Sequence, residues 1–458
     1  MKKIFAALLS LTSVFVLSAC LGGSGDAAVD VNIPDAFPEE EVEIVMWHAF
    51  GDDNQNLINN MLEDFLADNP NVSMRQVGQG NYDDLRSATI QANVAGSTPT
   101  LVMGYPDHFV EYLEGNSLVP LDEYIDHDTF GVDIDDYNDA FIAENQQYVD
   151  GFQYSMPMAK STEMLVYNRD FFDHYDIEFS LDDPITWQQL EQMIEDHDMI
   201  GEGEWQVPHL FNYDSESNLF INASSQWEAP YTNIEGEILI DNDNTRDMMT
   251  FLKQMMDDNI LALPIEWDTA YGSAAFIDGD VAMTQGSTAG TRYNLPNNPD
   301  GKFGVFNYGV MPAIQNADGP NSAIQQGPNI AIMANSTDAE RLVAWEIIKE
   351  LTSPENTAYF SMNTGYVPVR DSAYELDEYQ DFLAIAENYD NEDDPDFPYA
   401  LANRVAQAQA DWFAFEPPFT GRVSSSNARQ EVGFLIEALY TGSSVEDALD
   451  DALADLIR

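Results

Sequence analysis

Apolar and polar positions along the chain follow two alternating rhythms. Val42-Glu43-Ile44-Val45-Met46-Trp47 is a short, mostly apolar run of the kind that forms a buried strand. Leu57 to Leu66 then sets apolar residues at 57, 58, 61, 62, 65 and 66, the stripe of one helix face, and Asn69-Pro70-Asn71 stops it. Val72 to Val77 alternates as a second strand. Tyr82 to Ala95 returns to helical spacing before Gly96 and Pro99, and Thr100 to Met103 predicts a third strand. Strand–helix–strand–helix–strand order builds an α/β domain on a largely parallel sheet.

The same style continues. Thr162 to Tyr167 predicts a strand. Thr186, with Gln189 three residues on, forms a capping box that opens a helix at Trp187. Asp247–Asp258, Ala339–Leu351, Val432–Leu439 and Val445–Ile457 predict helices. Ser424-Ser425-Ser426-Asn427 reads as a polar loop or a set of donors, and Asp390 to Pro398 as a surface loop. There is no short internal repeat.

The ends change the picture. Lys2 and Lys3 precede an apolar run from Ile4 to Leu17, then Ser18, Ala19 and Cys20, the layout of a secretory signal and too short for a membrane span. Leu17-Ser18-Ala19-Cys20 resembles a bacterial lipobox, in which the Cys takes a lipid and becomes the mature N-terminus. Cys20 is the chain's single cysteine, so no internal disulfide explains it. The expectation is a signal peptide at 1–19, then a lipidated Cys and flexible linker at 20–41. The remainder, about 415 residues, exceeds one core and suits two domains.

Charge narrows the partners. Acidic residues number 81 against 17 basic ones, for a formal net charge of -64. Self-repulsion of this size is relieved by salt, which points to a salty or alkaline habitat. It excludes nucleic acid as a partner, since phosphate neutralisation needs basic stripes. No Gly-x-x-x-x-Gly-Lys-Ser/Thr loop is present, so ATP hydrolysis would belong to another subunit. There is no Gly-x-Ser-x-Gly elbow either, although a paired-carboxylate glycosidase remains open on residue types alone. His108 and Glu111 at i,i+3 read as a solvated helix face. Asp241 to Thr245 begins like a calcium loop, but Arg246 stands at its glycine position. No catalytic set, cofactor or metal site is expected.

Dispersed marks then fall in one order. They include Trp47-His48, Phe65 to Pro70, Gly96 to Thr100, Leu118 to Asp122, Met156-Pro157, Val166 to Arg169 and Thr186-Trp187. Phe276 to Met283, Ala344-Trp345-Glu346, Leu351 to Glu355 and Thr364 to Pro368 follow. In this order the chain resembles the family 1 extracellular solute-binding proteins of ABC importers. The resemblance implies an α/β, two-lobed type II periplasmic-binding-protein fold with a ligand cleft between the lobes, and no enzymatic activity. It implies crossings near Tyr154–Lys160, Asn307–Pro312 and Gly365–Arg370. Lobe 1 would then comprise 42–154 plus 312–366, and lobe 2 would comprise 155–311 plus 367–458.

Within that family, Trp47 to Gly51, Gln79 to Tyr82, Met283-Thr284 and Pro418 to Arg422 are most similar to the glycerol-3-phosphate binders. That likeness would turn Tyr82, Ser161, Ser287, Gly327, Tyr366 and Arg422 toward ligand, and at the subclass's acidic position either Asp107 substitutes or Pro106 breaks the pattern. A polyol also needs flat apolar faces, for which Trp47, Tyr82, Tyr105, Tyr213, Trp227, Trp267, Tyr271 and Tyr366 are available. For an anion, Gly286 to Gly290 would offer backbone donors if a helix begins there, Arg422 a two-pronged clamp, and Lys160 an extra charge. The expected partners are a small-molecule solute (a glycerol-phosphate compound or a sugar), ABC permease subunits, and the membrane through the lipid. The protein is expected to be a monomer on the extracellular face. An adhesive surface lipoprotein is the reading of another class.

Overall fold

A computed structural model describes residues 29–148, 150–181, 183–269, 271–387 and 389–457. The expected signal peptide and the lipidation candidate Cys20 lie outside them. Among the described residues, twelve strands form two sheets: β1 Val42–His48, β2 Val72–Gly78, β3 Leu101–Gly104, β4 Ser155–Pro157, β5 Ser161–Asn168, β6 His209–Tyr213, β7 Leu261–Ala262, β8 Val281–Ser287, β9 Tyr308–Pro312, β10 Ala323–Gln326, β11 Asn329–Ile332 and β12 Phe413–Ala414. The first sheet runs β2-β1-β3-β11-β4. Its β1 pairs in parallel with β2 and β3, while β11 inserts antiparallel between β3 and β4. The second runs β12-β10-β5-β8-β6-β7, with β9 also antiparallel to β5. Helices cover both sheets, which bury their apolar faces in separate cores: Ile44, Met46, Leu101 and Trp345 in one lobe, Leu165, Phe211, Leu252 and Met283 in the other.

The local reading holds closely where caps are strong. The helix Tyr82–Ala95 starts behind Asn81, whose capping box with Asp84 closes its first turn, and ends at left-handed Gly96. Thr186 caps Trp187–Asp196 with the expected Gln189 partner. The stripe over Leu57–Leu66 is instead two helices, Asp52–Met61 and Glu63–Asp68, that meet at Leu62.

The chain passes between the lobes three times. It first leaves β4 and enters β5 through Met158 to Lys160, so Ser155 to Pro157 belongs to the first lobe. The second passage lies at Gly327-Pro328, between β10 and β11, and not at Asn307–Pro312. Tyr308 to Pro312 is β9, paired along its length with β5, and Gln315 exchanges backbone hydrogen bonds with Ile185 and Trp187. Both attachments keep the segment in the second lobe until Gln326. The third passage follows Gly365, with Val367 and Val369 still in the first lobe's core. These passages touch. Ala159 N–H donates to the Pro328 carbonyl at 3.1 Å, and Val367 N–H to the Lys160 carbonyl at 2.7 Å. Gly327 has a φ of +96°, and a Cβ there would collide with the Ala159 carbonyl.

The flexible linker expected over 20–41 is shorter than its composition suggests. Val31, Ile33 and Phe37 pack on the first lobe, and Asn71 Nδ2 donates to the Pro38 and Glu40 carbonyls at 3.0 and 2.9 Å. Three apolar side chains spaced through a polar stretch are enough to dock it.

Candidate functional site

A cavity of about 610 Å³ lies between the lobes. Helix starts from both sides define it. Tyr82 and Asp83 come from the first turn after Asn81, and Tyr105, Pro106 and Asp107 from the start of Pro106–Leu113. The other lobe adds Ser217 from Glu216–Gln226, capped by Ser215, and Ser426, Asn427 and Arg429 from Ser425–Tyr440, capped by Ser424. Each helix start presents the positive end of its dipole, worth roughly half an elementary charge. The lobes meet here, where Ser426 Oγ donates to Asp107 Oδ2 at 2.8 Å.

Arg429 is the prominent cation. It donates through Nη2 to Asn218 Oδ1 and through Nη1 to Glu416 Oε2. Asn218 is turned this way by the residue behind it. Its Nδ2 donates to Glu163 Oε1 at 2.6 Å, which leaves its oxygen facing Arg429. Glu163, on β5, is fully buried and also receives the Tyr213 hydroxyl and, at 3.2 Å, Gln285 Nε2. Burial pushes the Glu163 carboxyl up, and these donors pull it back. Asn218 and Glu163 are therefore positioning residues for a guanidinium that faces the cavity.

Aromatic rings line the opposite wall. Tyr82 and Tyr105 meet edge to face with centroids 4.8 Å apart. The Tyr82 hydroxyl pairs with Tyr366, whose ring stacks on Phe360 at 5.5 Å. Burial pushes the Tyr366 phenol up to about 12, so these hydroxyls stay protonated donors. Gln325 also lines the cavity, its Nε2 donating to the Ala140 carbonyl at 3.2 Å. A second chamber of about 600 Å³ shares Tyr82 and lies between Asn54, Tyr271, Arg292, Tyr293 and Asn363. Arg292 Nη1 reaches across the lobes to Asp53 Oδ2 at 3.0 Å.

The residues singled out from sequence distribute as follows. Tyr82 and Tyr366 come together, and Ser287 Oγ stands 3.3 Å from Ser161 Oγ. Asp107 lines the cavity. Gly327 sits in the second crossing. Trp47 is partly buried against the Leu85 cluster, outside the cavity walls. Arg422 is exposed in the turn before the Ser425 helix and does not line the cavity. Ser287 caps only a six-residue 3-10 helix, Thr288–Tyr293. Lys160 is spent in the hinge. It donates to Glu144 Oε2 at 2.5 Å, the Gly327 carbonyl at 3.1 Å and Asn329 Oδ1 at 3.5 Å. Burial pulls its ammonium down, and Glu144 pushes it back. Glu111 makes a two-pronged pair with Arg86 at 2.6 and 2.7 Å. Asn242 caps the helix Asp243–Asp257, and Arg246 donates to Asp241 at 2.6 Å.

Comparison with known proteins decides the family. A profile for bacterial extracellular solute-binding proteins matches residues 60–389. This chain belongs to that family. The solute-binding protein is 24% identical over 377 residues to the sn-glycerol-3-phosphate-binding periplasmic protein UgpB of Pectobacterium atrosepticum, covering 78% of this chain and 80% of that one. It is 25% identical over 359 residues to the protein of that name from Shigella dysenteriae, covering 74% and 77%. In fold it is similar to the crystal structure of UgpB from Mycobacterium tuberculosis in complex with glycerophosphocholine. The TM-score is 0.73 at 20% identity, over 91% of this chain and 98% of that one. The GacH receptor of Streptomyces glaucescens, solved unliganded and with acarbose, gives a TM-score of 0.68 at 16% identity, over 92% and 98%. The solute-binding protein thus has the two-lobed periplasmic-binding fold, and its family binds solutes and does not transform them.

Arg429, Asn218, Glu163 and Glu416 escaped the sequence reading of this solute-binding protein. The helix expected at Val432 begins at Ser425, seven residues earlier. The buried spacing Ser425, Ala428, Val432, Leu435, Ile436, Leu439 carries the signal, and Ser424 supplies the cap. With that start, Arg429 falls on the second helical turn, facing the cleft.

Proposed function

We propose that this protein captures a glycerol-phosphate compound outside the cell and delivers it to the permease subunits of an ABC importer. The observation that carries the reading is Arg429. Its guanidinium spends two of its five N–H groups on Asn218 and Glu416, and Arg429 lines a cavity ringed by helix N-termini. The Tyr82 and Tyr105 rings in the same cavity supply flat faces for a glycerol backbone. The names of the relatives agree: glycerol 3-phosphate for the curated ones, glycerophosphocholine for the mycobacterial complex. Lipid attachment at Cys20 would keep the carrier at the outer face of the membrane, whose anionic surface repels so acidic a body. That acidity suits a saline medium.

A neutral mono- or oligosaccharide is the second reading. The chamber between Tyr271 and Tyr293, with Asn54 and Asn363 in its wall, favours it. Calorimetric titration in high salt of protein from Leu21 onward, unfolded and refolded to strip bound solute, separates the two. Saturable micromolar binding of sn-glycerol 3-phosphate or glycerophosphocholine supports the first reading. Binding of a neutral sugar, with no heat from either ester, moves the assignment to the second.

A further inference from the structure

Most charges lining the cavity are already committed to the protein. Glu144 is taken by Lys160, Arg86 by Glu111, and Asp107 accepts from Ser426. Arg429 also has a carboxylate on it, that of Glu416, from the segment after β12. The Glu416 side chain is 18% exposed and lines the same cavity. An anionic group that approaches the guanidinium therefore meets a cation already paired with a carboxylate. We propose that Glu416 is a resident counter-ion, which must be neutralised before an anionic ligand group can take its position, and that this makes it a specificity-determining residue. The proposal rests on the reading of Arg429 as the ligand's anion contact.

The surroundings of Glu416 suit that role. Burial pushes its carboxyl up to about 7, Arg429 pulls it down, and the charges of Asp107 and Glu144 push the same way as burial. Asp83, Arg86 and His108 of the first lobe also line this cavity, and Tyr105 stands near Arg429. Burial pulls the His108 imidazole down, and the Asp107 carboxylate pushes it back. With Glu416 ionised, the cation is cancelled and the neighbouring carboxylates repel an incoming anion. With Glu416 protonated, the guanidinium regains its full charge, and the carboxyl itself becomes a donor. A neutral solute never meets this barrier.

The test compares wild type with Glu416→Gln by calorimetry at pH 6 and pH 8, with sn-glycerol 3-phosphate and with glycerophosphocholine. Taking the ratio of the two dissociation constants removes the ligand's own titration. For a group titrating near 7, the ratio of wild-type to variant Kd rises about tenfold from pH 6 to pH 8. A ratio that does not change with pH overturns the proposal while leaving the reading of the ligand intact.

If neither ester binds wild type, that reading fails instead, and the ligand-free proteins decide the state of Glu416. The folded carboxyl keeps its proton more tightly than the unfolded one. Wild type therefore has its full share of stability below about 4.5 and loses it as pH rises through about 7, while Gln does not titrate. The gap between the two thermal midpoints should widen from pH 5 to pH 8, and a constant gap overturns the proposal.

Discussion

Two clusters in the protein are built from the same parts, a cation, a glutamate and an asparagine. At the hinge, Lys160 sits with Glu144 and Asn329. In the cleft, Arg429 sits with Glu416 and Asn218. The hinge pair is sealed, with side-chain exposures of 0% and 6%, whereas the cleft pair has 31% and 18%. Lys160 has three donors and three acceptors, so nothing is left to offer. Arg429 has five N–H groups and spends two on Glu416 and Asn218. The lesson is about unspent donors. An ion pair becomes structural when its hydrogen bonds close on protein, and can serve as a binding element when donors are left over beside a cavity.

That contrast can be broken from either side. The largest effect should come from Lys160→Met, which leaves Glu144 buried without its partner and costs about 3–5 kcal/mol of stability. Denaturant unfolding measures it, and a loss below about 1 kcal/mol would show that the hinge does not depend on this pair. Arg429→Ala should weaken a phosphate ester by about 30-fold or more, the equivalent of about 2 kcal/mol. Its unfolding midpoint should move less than that of Lys160→Met, because Glu416 can take up a proton or face the cavity. Equal loss of affinity for ester and neutral sugar would remove the anion role from Arg429. The smallest change is Ser426→Ala, which removes the bond across the lobes to Asp107 at 2.8 Å. About 1 kcal/mol corresponds to roughly fivefold weaker binding, with unfolding unchanged. Unaltered affinity would mean that this contact adds nothing to closure.

What could be read from the chain follows the range of the interactions involved. The strand at Val42 and the helix at Tyr82 depend on a short apolar run and on a cap within three residues, and both lie where their patterns put them. Tyr82 and Tyr366 meet beside the turns at Gly80 and Gly365, whereas Ser161 and Ser287 meet because β5 and β8 pair antiparallel. The second crossing was not legible. Short strands flank Gly327-Pro328 on both sides, and only the pairing of β11 between β3 and β4 reveals that the chain has changed lobes. Lys160 looked like a spare positive charge because Glu144, sixteen residues earlier, gives no local hint of pairing with it. Arg422 drew attention through its motif neighbours. Arg429 was hidden by a serine-rich stretch that resembles a loop and is a helix start.

The laced crossings at Ala159–Pro328 and Lys160–Val367 have a mechanical meaning. A single tether would act as a ball joint and let the lobes twist, tilt and slide. Three strands bonded side by side act as a door hinge and leave one easy rotation. Every solute that enters therefore meets the same swing of the same two walls. Its size is registered as how far the door can shut, before any of its chemistry is read by the residues inside.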